Sequence, residues 1–332
     1  MVKVIAEIGV NHNGDFGLAK ELIDAAVDSG ADIVKFQTFV ASKVATRNAP
    51  KAAYQATQTE SGVSQLEMLQ RLELKRPWHY TLKAYCEDNE IEFLSTGFDC
   101  EDIAFLTKLG QSCLKVPSGE ITNLPYLRCV GRTGLPIYLS TGMSTMSDID
   151  FALDALESAG ASRPWITVMH CTTEYPAPIS DVNLLAMCSI REKFGVSVGY
   201  SDHTLGSDVA VAAAALGAGV IEKHLTLDRN MRGPDHNASL EPAEFKNMVL
   251  AIRTVERALG SPVKEPAECE KKNLPVARRS VVAKVAIKKG ERFNAANLTT
   301  KRPGTGVDPR RWDEILGSTA IRDFNEDELI EL

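Results

Sequence analysis

The chain has 332 residues, 44% of them hydrophobic, and a formal net charge of −7. That length allows one large domain plus a small one, and the acidic balance gives no general pull toward nucleic acid or an anionic membrane. No apolar run reaches a membrane span and no signal peptide precedes "VIAEIGV", while seven scattered cysteines without a CxxC pair suit a reducing cytoplasm. Accordingly Cys86, Cys100, Cys113, Cys129 and Cys188 read as small core or surface residues.

Along the chain, short apolar β-branched runs alternate with helical patterns. "VIAEIGV" (4–10) is followed by "LAKELIDAAVDSGA", whose apolar residues recur at i, i+3 and i+4. "IVKFQTF" (33–39) comes next, then a long polar insert at 40–78 expected to cover a substrate site with a helix of its own. "EFLSTGF" (92–98), "CLKVPSG" (113–119), "IYLSTGM" (137–143), "ITVMHCT" (166–172), "SVGYSDH" (197–203) and "VIEKHLTL" (220–227) complete a set of eight. Strand–helix alternation implies parallel strands with crossover helices, and eight units over about 260 residues predict a closed (β/α)8 TIM barrel. An open doubly wound sheet is disfavoured because no GxGxxG follows the first strand. The barrel is expected over 1–260. A polar, proline-broken linker follows at 261–274, then a small β-rich domain at 275–332. Residues 271–332 carry 13 Lys and Arg against 9 Asp and Glu, a net of +4, on a body of net −11. Such asymmetry hints at self-association or an anionic ligand.

Polar residues gather where these strands end: Glu7, Lys35 and Gln37, Ser95 and Thr96, Lys115 and Ser118, Ser140 and Thr141, His170 and Thr172, Asp202 and His203, Lys223 and His224. In a barrel those ends form the active-site face. Any one of them is an ordinary polar strand end; eight strands presenting such groups to one rim make a site for an anionic substrate. Lys35 and Lys115, with Ser95, Thr96, Ser118 and Ser140, form a candidate phosphate or carboxylate cradle, since charge-assisted bonds to a dianion are strong. Glu7 and Glu120 are candidate proton relays, with a structural ion pair to a lysine as the equal alternative. His203 and His224 end adjacent strands and can share one divalent ion, leaving positions open for water or substrate. His236 and Asp235 lie on the loop after the last strand, near enough to meet substrate. His170 ends the sixth strand within reach of the site, His12 is a loop or capping feature, and His79 is expected on the surface.

Taken together, "AEIGVNHNGD", "VKFQTF", "PSGEITNLPYL", "LSTGM", "HCTTEYPAP", "YSDHTLG", "EKHLTLD", "GPDHNASLEP" and "TTKRPGTG" resemble the sialic acid synthases and their bacterial nonulosonate relatives, including legionaminic acid synthases. The resemblance runs nearly end to end. It implies a (β/α)8 barrel followed by an antifreeze-like (SAF) β domain. It also implies a phosphoenolpyruvate-dependent aldol-type transferase that condenses phosphoenolpyruvate with an N-acetylated mannose-type sugar and releases phosphate. By position it assigns Lys35, Thr96, Lys115, Ser118 and Ser140 to phosphoenolpyruvate, and His203 and His224 to a divalent metal, Mn2+ or Mg2+. Glu7 and Glu120 become acid–base or positioning groups, and Gln37, Tyr175 and Asp235 lie near the sugar. Arg302 becomes the arginine that the SAF domain presents to the acetamide in a partner subunit's site, which implies a domain-swapped homodimer. The expected acceptor is N-acetylmannosamine, giving N-acetylneuraminate. The alternative is 2,4-diacetamido-2,4,6-trideoxymannose, giving N,N'-diacetyllegionaminate, and a non-catalytic sugar-binding protein is a more distant one.

Overall fold

The eight apolar runs form eight strands in a computed structural model that describes residues 1–60 and 62–332: β1 (Lys3–Gly9), β2 (Ile33–Thr38), β3 (Glu92–Gly97), β4 (Leu114–Val116), β5 (Ile137–Ser140), β6 (Ile166–Cys171), β7 (Ser197–Asp202) and β8 (Val220–His224). Hydrogen-bonded neighbours run β3-β2-β1-β8-β7-β6-β5-β4, every pair parallel. β3 and β4, the ends of that order, lie side by side and close the barrel. Helix α1 (Phe16–Asp28) follows β1, and its N-terminus is capped by Asp15, whose Oδ1 accepts from the Leu18 amide at 2.9 Å. The insert holds α2 (Ala41–Val44), α3 (Ala53–Gln58) and α4 (Gln65–Leu72) before the crossover helix α5 (Arg76–Asp88). The remaining crossovers are α6 (Cys100–Leu109), α7 (Leu124–Gly131), α8 (Met146–Ser158), α9 (Leu185–Phe194) and α10 (Asp208–Ala215), and α11 (Pro242–Leu259) follows β8.

Side-chain alternation sorts each strand into two faces. Val4, Ala6, Val34, Phe36, Phe93, Leu114, Val116, Tyr200 and Ile221 pack outward in the main core, against the helices. Ile5, Ile33, Leu94, Cys113, Met169 and Val220 form a separate plug inside the barrel. Counting in twos from the plug toward the strand ends gives the inward residues above it: Glu7, Lys35, Thr96, Lys115, Glu222 and His224. Phase therefore fixes which polar residues enter the site, and it overturns part of the rim expected from sequence. Ser95 faces outward, its Oγ 2.6 Å from Thr38 Oγ1. Asp202 and Lys223 also face outward, as an ion pair of 2.8 Å with both side chains fully buried.

His79 is not on the surface: it is fully buried in α5, with Nε2 2.7 Å from Thr38 Oγ1. The helix turns that face toward β2 and β3, where two outward hydroxyls supply a partner. Cys100 and Cys129 are not independent small residues either. They form a disulfide that joins the start of α6 to α7.

The chain divides into two compact units, Met1–Gly260 and Ser261–Leu332. The stretch 261–274 thus groups with the second unit, and it carries α12 (Glu268–Lys271). After α13 (Leu274–Ala277), the unit pairs β9 (Ser280–Ala283) with β10 (Leu298–Lys301) antiparallel, Leu298 opposite Ala283. Its own core joins Val281, Ile287, Phe293, Leu298, Phe324 and Ile330 to Ile315 of α14 (Trp312–Ile315). Among the described residues, no helix is long and apolar enough to cross a membrane.

Candidate active site

A cavity of about 230 Å3 opens at the C-terminal ends of the barrel strands. Its floor is a closed charge network. Lys35 Nζ lies 2.7 Å from Glu7 Oε2 and 3.6 Å from Glu222 Oε2, and it donates to Thr96 Oγ1 at 3.1 Å. Lys115 Nζ reaches both oxygens of Glu222, at 2.7 and 2.8 Å, and Ser201 Oγ donates to Glu222 Oε1 at 2.9 Å. Gln37 Nε2 donates to Glu7 Oε1 at 3.2 Å. All four charged side chains are at most 5% exposed, so each charge is retained only because a partner is in contact.

The network sets the protonation of its members. Burial pushes the Glu222 carboxyl up, but the ammoniums of Lys115 and Lys35 outweigh it and hold Glu222 well below the usual carboxylate range. Glu7 goes the other way: burial raises it, Glu222 adds to the rise, and Lys35 offsets only part. Burial lowers both lysines. In Lys35 the paired carboxylates Glu222 and Glu7 more than compensate, whereas Lys115 has Glu222 alone beside it and stays below its ordinary value.

Hydroxyl groups ring the floor. Ser140 Oγ and Thr173 Oγ1 are buried with no hydrogen-bond partner among the described residues. Ser118 sits in a 3-10 turn after β4, where its Oγ accepts from the Gly142 amide at 2.9 Å. Gly142 is required there, since a Cβ would come within 2.0 Å of Thr173 Oγ1. Thr96, Lys115, Ser118 and Ser140 all line the same cavity as Lys35, so the residues expected to form the anion cradle are brought together; Ser95 is not among them.

Above this floor stand the histidines. The rings of His203 and His224 are 5.6 Å apart between centroids, and Tyr175 stacks against His203 at 4.1 Å. His203 Nδ1 lies 2.6 Å from the Thr172 carbonyl, which makes it the protonated nitrogen and leaves a lone pair on Nε2. His224 Nδ1 is buried without a hydrogen-bond partner and lies 3.9 Å from Asp235 Oδ2. Burial drives His203 down to about 4 and His224 well below its ordinary value, so both imidazoles are neutral at pH 7. Two neutral imidazoles, one with an orphaned buried nitrogen, beside a carboxylate fit a divalent ion with open positions. Among the described residues no group of three or more His, Cys, Asp or Glu is placed to hold a metal ion, so Asp235 does not complete a ligand set with the two imidazoles. Further ligands would therefore come from water or substrate. Asp235 itself is pushed up to about 7, first by burial and then by Glu7.

The other sequence candidates separate. Gln37, Tyr175 and Asp235 line the cavity. Glu120 does not; it is half-buried at the rim and accepts from the Asn123 side chain. His236 is buried in its loop, with Nδ1 2.7 Å from Thr226 Oγ1. His170 Nε2 is bound to the Val182 carbonyl at 2.7 Å, outside the cavity wall. His12 holds its loop by accepting from the Gly14 amide at 3.0 Å. Arg302 belongs to the second unit, where its exposed side chain donates to the Ala277 carbonyl at 3.0 Å. The insert does cover the site: Tyr54 and Gln55 of α3 and Met68, Leu69 and Leu72 of α4 form one wall. Tyr54 stacks on Tyr175 at 4.9 Å.

Sequence reasoning missed Glu222 and Ser201. The signal was present in the strand phase. With Val220 in the plug, Glu222 and His224 share its face and Lys223 does not. Ser201 follows from Gly199 in the same way, where a Cβ would come within 2.4 Å of Val220 Cγ1.

A parallel eightfold barrel with lysines, carboxylates, hydroxyls and two neutral histidines gathered at its C-terminal mouth has the build of an enzyme active site. Residues 22–264 match the NeuB family and residues 278–331 match the SAF domain. The chain belongs to the NeuB family, the sialic and nonulosonic acid synthases, and is an enzyme of the transferase type. It is 52% identical over 327 residues to an N,N'-diacetyllegionaminic acid synthase of Campylobacter jejuni, covering 98% of each chain. A second N,N'-diacetyllegionaminic acid synthase, from Legionella pneumophila, is 45% identical over 95% of this chain and 89% of that one. Among solved structures, an N-acetylneuraminic acid synthetase from Leptospira borgpetersenii superposes with a TM-score of 0.73 at 30% identity, over 82% of this chain and 90% of that one.

Proposed function

We propose that the chain condenses phosphoenolpyruvate with 2,4-diacetamido-2,4,6-trideoxymannose to give N,N'-diacetyllegionaminate and phosphate, rather than acting on N-acetylmannosamine. The observation that carries this reading is the identity of 52% and 45%, over almost the whole chain, to two proteins of that name. The cavity wall is a second support. N-acetylmannosamine carries hydroxyls at C4 and C6, where the diacetamido sugar carries an acetamide and a methyl. Val10, Met68, Leu69, Leu72 and Phe98 make that wall apolar, which suits the methyl-bearing sugar.

In the reaction, C3 of phosphoenolpyruvate bonds to the aldehyde carbon of the open-chain sugar, water adds at C2, and the C2–oxygen bond to phosphate breaks. Lys35 and Lys115, with Thr96, Ser118 and Ser140, hold the phosphate and neutralise its charge as it leaves. Glu7, raised by burial and in contact with Lys35, is placed to hold or release a proton beside it. Gln37, Tyr175 and Asp235 orient the sugar, and positioning of the two substrates supplies much of the rate. His203 and His224 would hold a divalent ion, Mn2+ or Mg2+, whose contribution is Lewis-acid polarisation of the aldehyde oxygen. An acceptor panel with phosphoenolpyruvate, read by phosphate release, tests the reading. The diacetamido sugar is expected to exceed N-acetylmannosamine by about tenfold or more in kcat/KM. The reverse order would return the choice to N-acetylmannosamine.

We also propose a homodimer in which Arg302 serves the partner subunit's site by donating to the acetamide carbonyl. The support is the family resemblance of "KRPGTG" and the opposite net charges of the two segments. Mixing Arg302→Ala chains with His203→Ala chains should restore part of the activity, because one site of the heterodimer then carries both lesions and the other neither. No complementation despite demonstrated subunit exchange would assign Arg302 to its own barrel or to no site.

A further inference from the structure

We propose that Gln111 is a positioning residue for phosphoenolpyruvate: its side-chain amide stands in for the backbone ladder missing between β3 and β4, and so sets Thr96 against Lys115. The inference rests on the reading that these two residues hold the phosphate.

Seven of the eight strand contacts around the barrel are paired ladders; the contact between β3 and β4 is not. Gln111 fills that seam. It lies just past Gly110, whose φ of 84° ends α6 and turns the chain back toward the barrel. Gln111 is 3% exposed, and its carboxamide makes three hydrogen bonds across the gap. Oε1 accepts from the Ser95 amide at 2.8 Å, while Nε2 donates to the Ser95 carbonyl at 3.1 Å and to the Cys113 carbonyl at 2.7 Å. One residue's N–H and C=O on β3, and the carbonyl just before β4, are thus satisfied by a single side chain acting as an inserted peptide group. Without it, three main-chain groups would be buried without partners.

The positions gripped are those next to the cradle. Ser95 precedes Thr96, whose hydroxyl accepts from Lys35, and Cys113 stands two residues before Lys115 on the same inward face. The outward side of Ser95 is held separately, by Thr38 and through it His79. The β3 end of the cradle is therefore clamped at side chain and backbone. No ladder fixes the spacing beside Thr96 and Lys115, and Gln111 is the group that bridges the two backbones there; the other links across the seam lie at its ends, where Glu92 meets Ser112 and where Tyr126 donates to the Gly97 carbonyl at 2.8 Å. An inserted amide also holds two strands further apart than direct pairing would, so any substitute for Gln111 changes that spacing.

Steady-state kinetics of Gln111→Met and Gln111→Glu test the proposal. Gln111→Met keeps length and removes all three bonds. It should lower kcat/KM for phosphoenolpyruvate on the order of tenfold, about 1.4 kcal/mol, mostly through KM. KM for the acceptor sugar should move less than about twofold, because Gln37, Tyr175 and Asp235 lie on other strands and loops. Gln111→Glu keeps the shape and the bond from the Ser95 amide but turns an acceptor oxygen toward the Ser95 and Cys113 carbonyls, so it should raise KM for phosphoenolpyruvate at least as much as Gln111→Met. A loss confined to kcat, or equal rises in both KM values, would reduce Gln111 to a seam residue and overturn the proposal, as would failure of both variants to fold. If only Gln111→Met fails to fold, the same split in Gln111→Glu decides. Lys115→Ala separates this from the underlying reading. A wild-type KM for phosphoenolpyruvate in Lys115→Ala would sink the cradle itself. A raised KM there with unchanged values in the Gln111 variants would sink the positioning role alone.

Discussion

Glu222→Gln is the sharpest perturbation of the charged floor. The carboxylate receives both close contacts of Lys115, at 2.7 and 2.8 Å, and a longer one of 3.6 Å from Lys35. Lys35 keeps Glu7 at 2.7 Å after the substitution, so a single ammonium, Lys115, loses its counter-charge. Removing one partner of a buried pair costs roughly 3–5 kcal/mol. The glutamine oxygen can still accept from Lys115 or Ser201, which places the expected loss near the lower end, about 3 kcal/mol. Against a total stability of about 5–15 kcal/mol that is a large fraction, readily seen as a lower urea midpoint with unchanged m value. Phosphoenolpyruvate or inorganic phosphate should recover more stability in the variant than in the wild type, because the anion no longer competes with Glu222 for Lys115. Urea unfolding with and without each anion measures both effects. Stability within about 0.5 kcal/mol of wild type, the range of an ordinary surface substitution, would refute the pairing. An anion effect no larger than the wild type's would refute the competition.

The remaining predictions concern the same cavity and its support. Lys35→Ala and Lys115→Ala should each weaken phosphoenolpyruvate use by about 1.5–3 kcal/mol of charge-assisted bonding while circular dichroism stays native, and wild-type kinetics in either would count against the cradle. Excess chelator should abolish turnover and Mn2+ or Mg2+ should restore it, with His203→Ala and His224→Ala losing Mn2+ affinity by calorimetry; full activity in chelator would discard the metal reading. Burial lowers His79 from 6.5 to about 4, so the unfolded chain takes up a proton that the folded one refuses. Stability should therefore be intact above about pH 6.5 and fall toward pH 4 by about 3 kcal/mol from this group, and His79→Gln should have a shallower slope over that window, measured by urea midpoints.

The fold was legible because its signals are local. Eight β-branched runs separated by 3.6-period stretches imply parallel strands with crossover helices, their number favours a closed barrel over an open sheet, and the second unit announces itself where the helical period stops. Most of the cavity lining is legible too, since Lys35, Thr96, Lys115, Ser118 and Ser140 sit at or just past strand ends. What failed was phase. Polar residues at the end of "VIEKHLTL" were read as one group, yet a strand sends neighbours to opposite faces: Glu222 and His224 enter the site while Lys223 pairs with Asp202 behind it. The burial of His79 is not legible because its side-chain partner, Thr38, lies on a strand far from it in sequence. The Cys100–Cys129 bond was illegible for the same reason, a separation of 29 residues with no spacing motif.

The pairing of the floor has a consequence for selectivity. Each ammonium already has a carboxylate within 2.8 Å, so an anion bound as proposed would not fill an empty positive hole but would exchange with Glu7 or Glu222. A ligand carboxylate offers a lysine little that a fixed, preorganised glutamate does not already give it, and its own desolvation is unrepaid. A phosphate dianion differs in kind: it brings more charge and three oxygens, enough to engage both lysines and the unpartnered Ser140 hydroxyl at once. On the proposed reading, the glutamates would act as resident competitors that raise the threshold for binding, and discrimination against simple carboxylates would come from the protein's own charges. The same pairing protects the apo protein, because two buried ammoniums without counter-charges would either lose their protons or unfold the barrel mouth. Stability of the empty site and selectivity of the filled one then come from the same two carboxylates, and neither can be removed without loss of both.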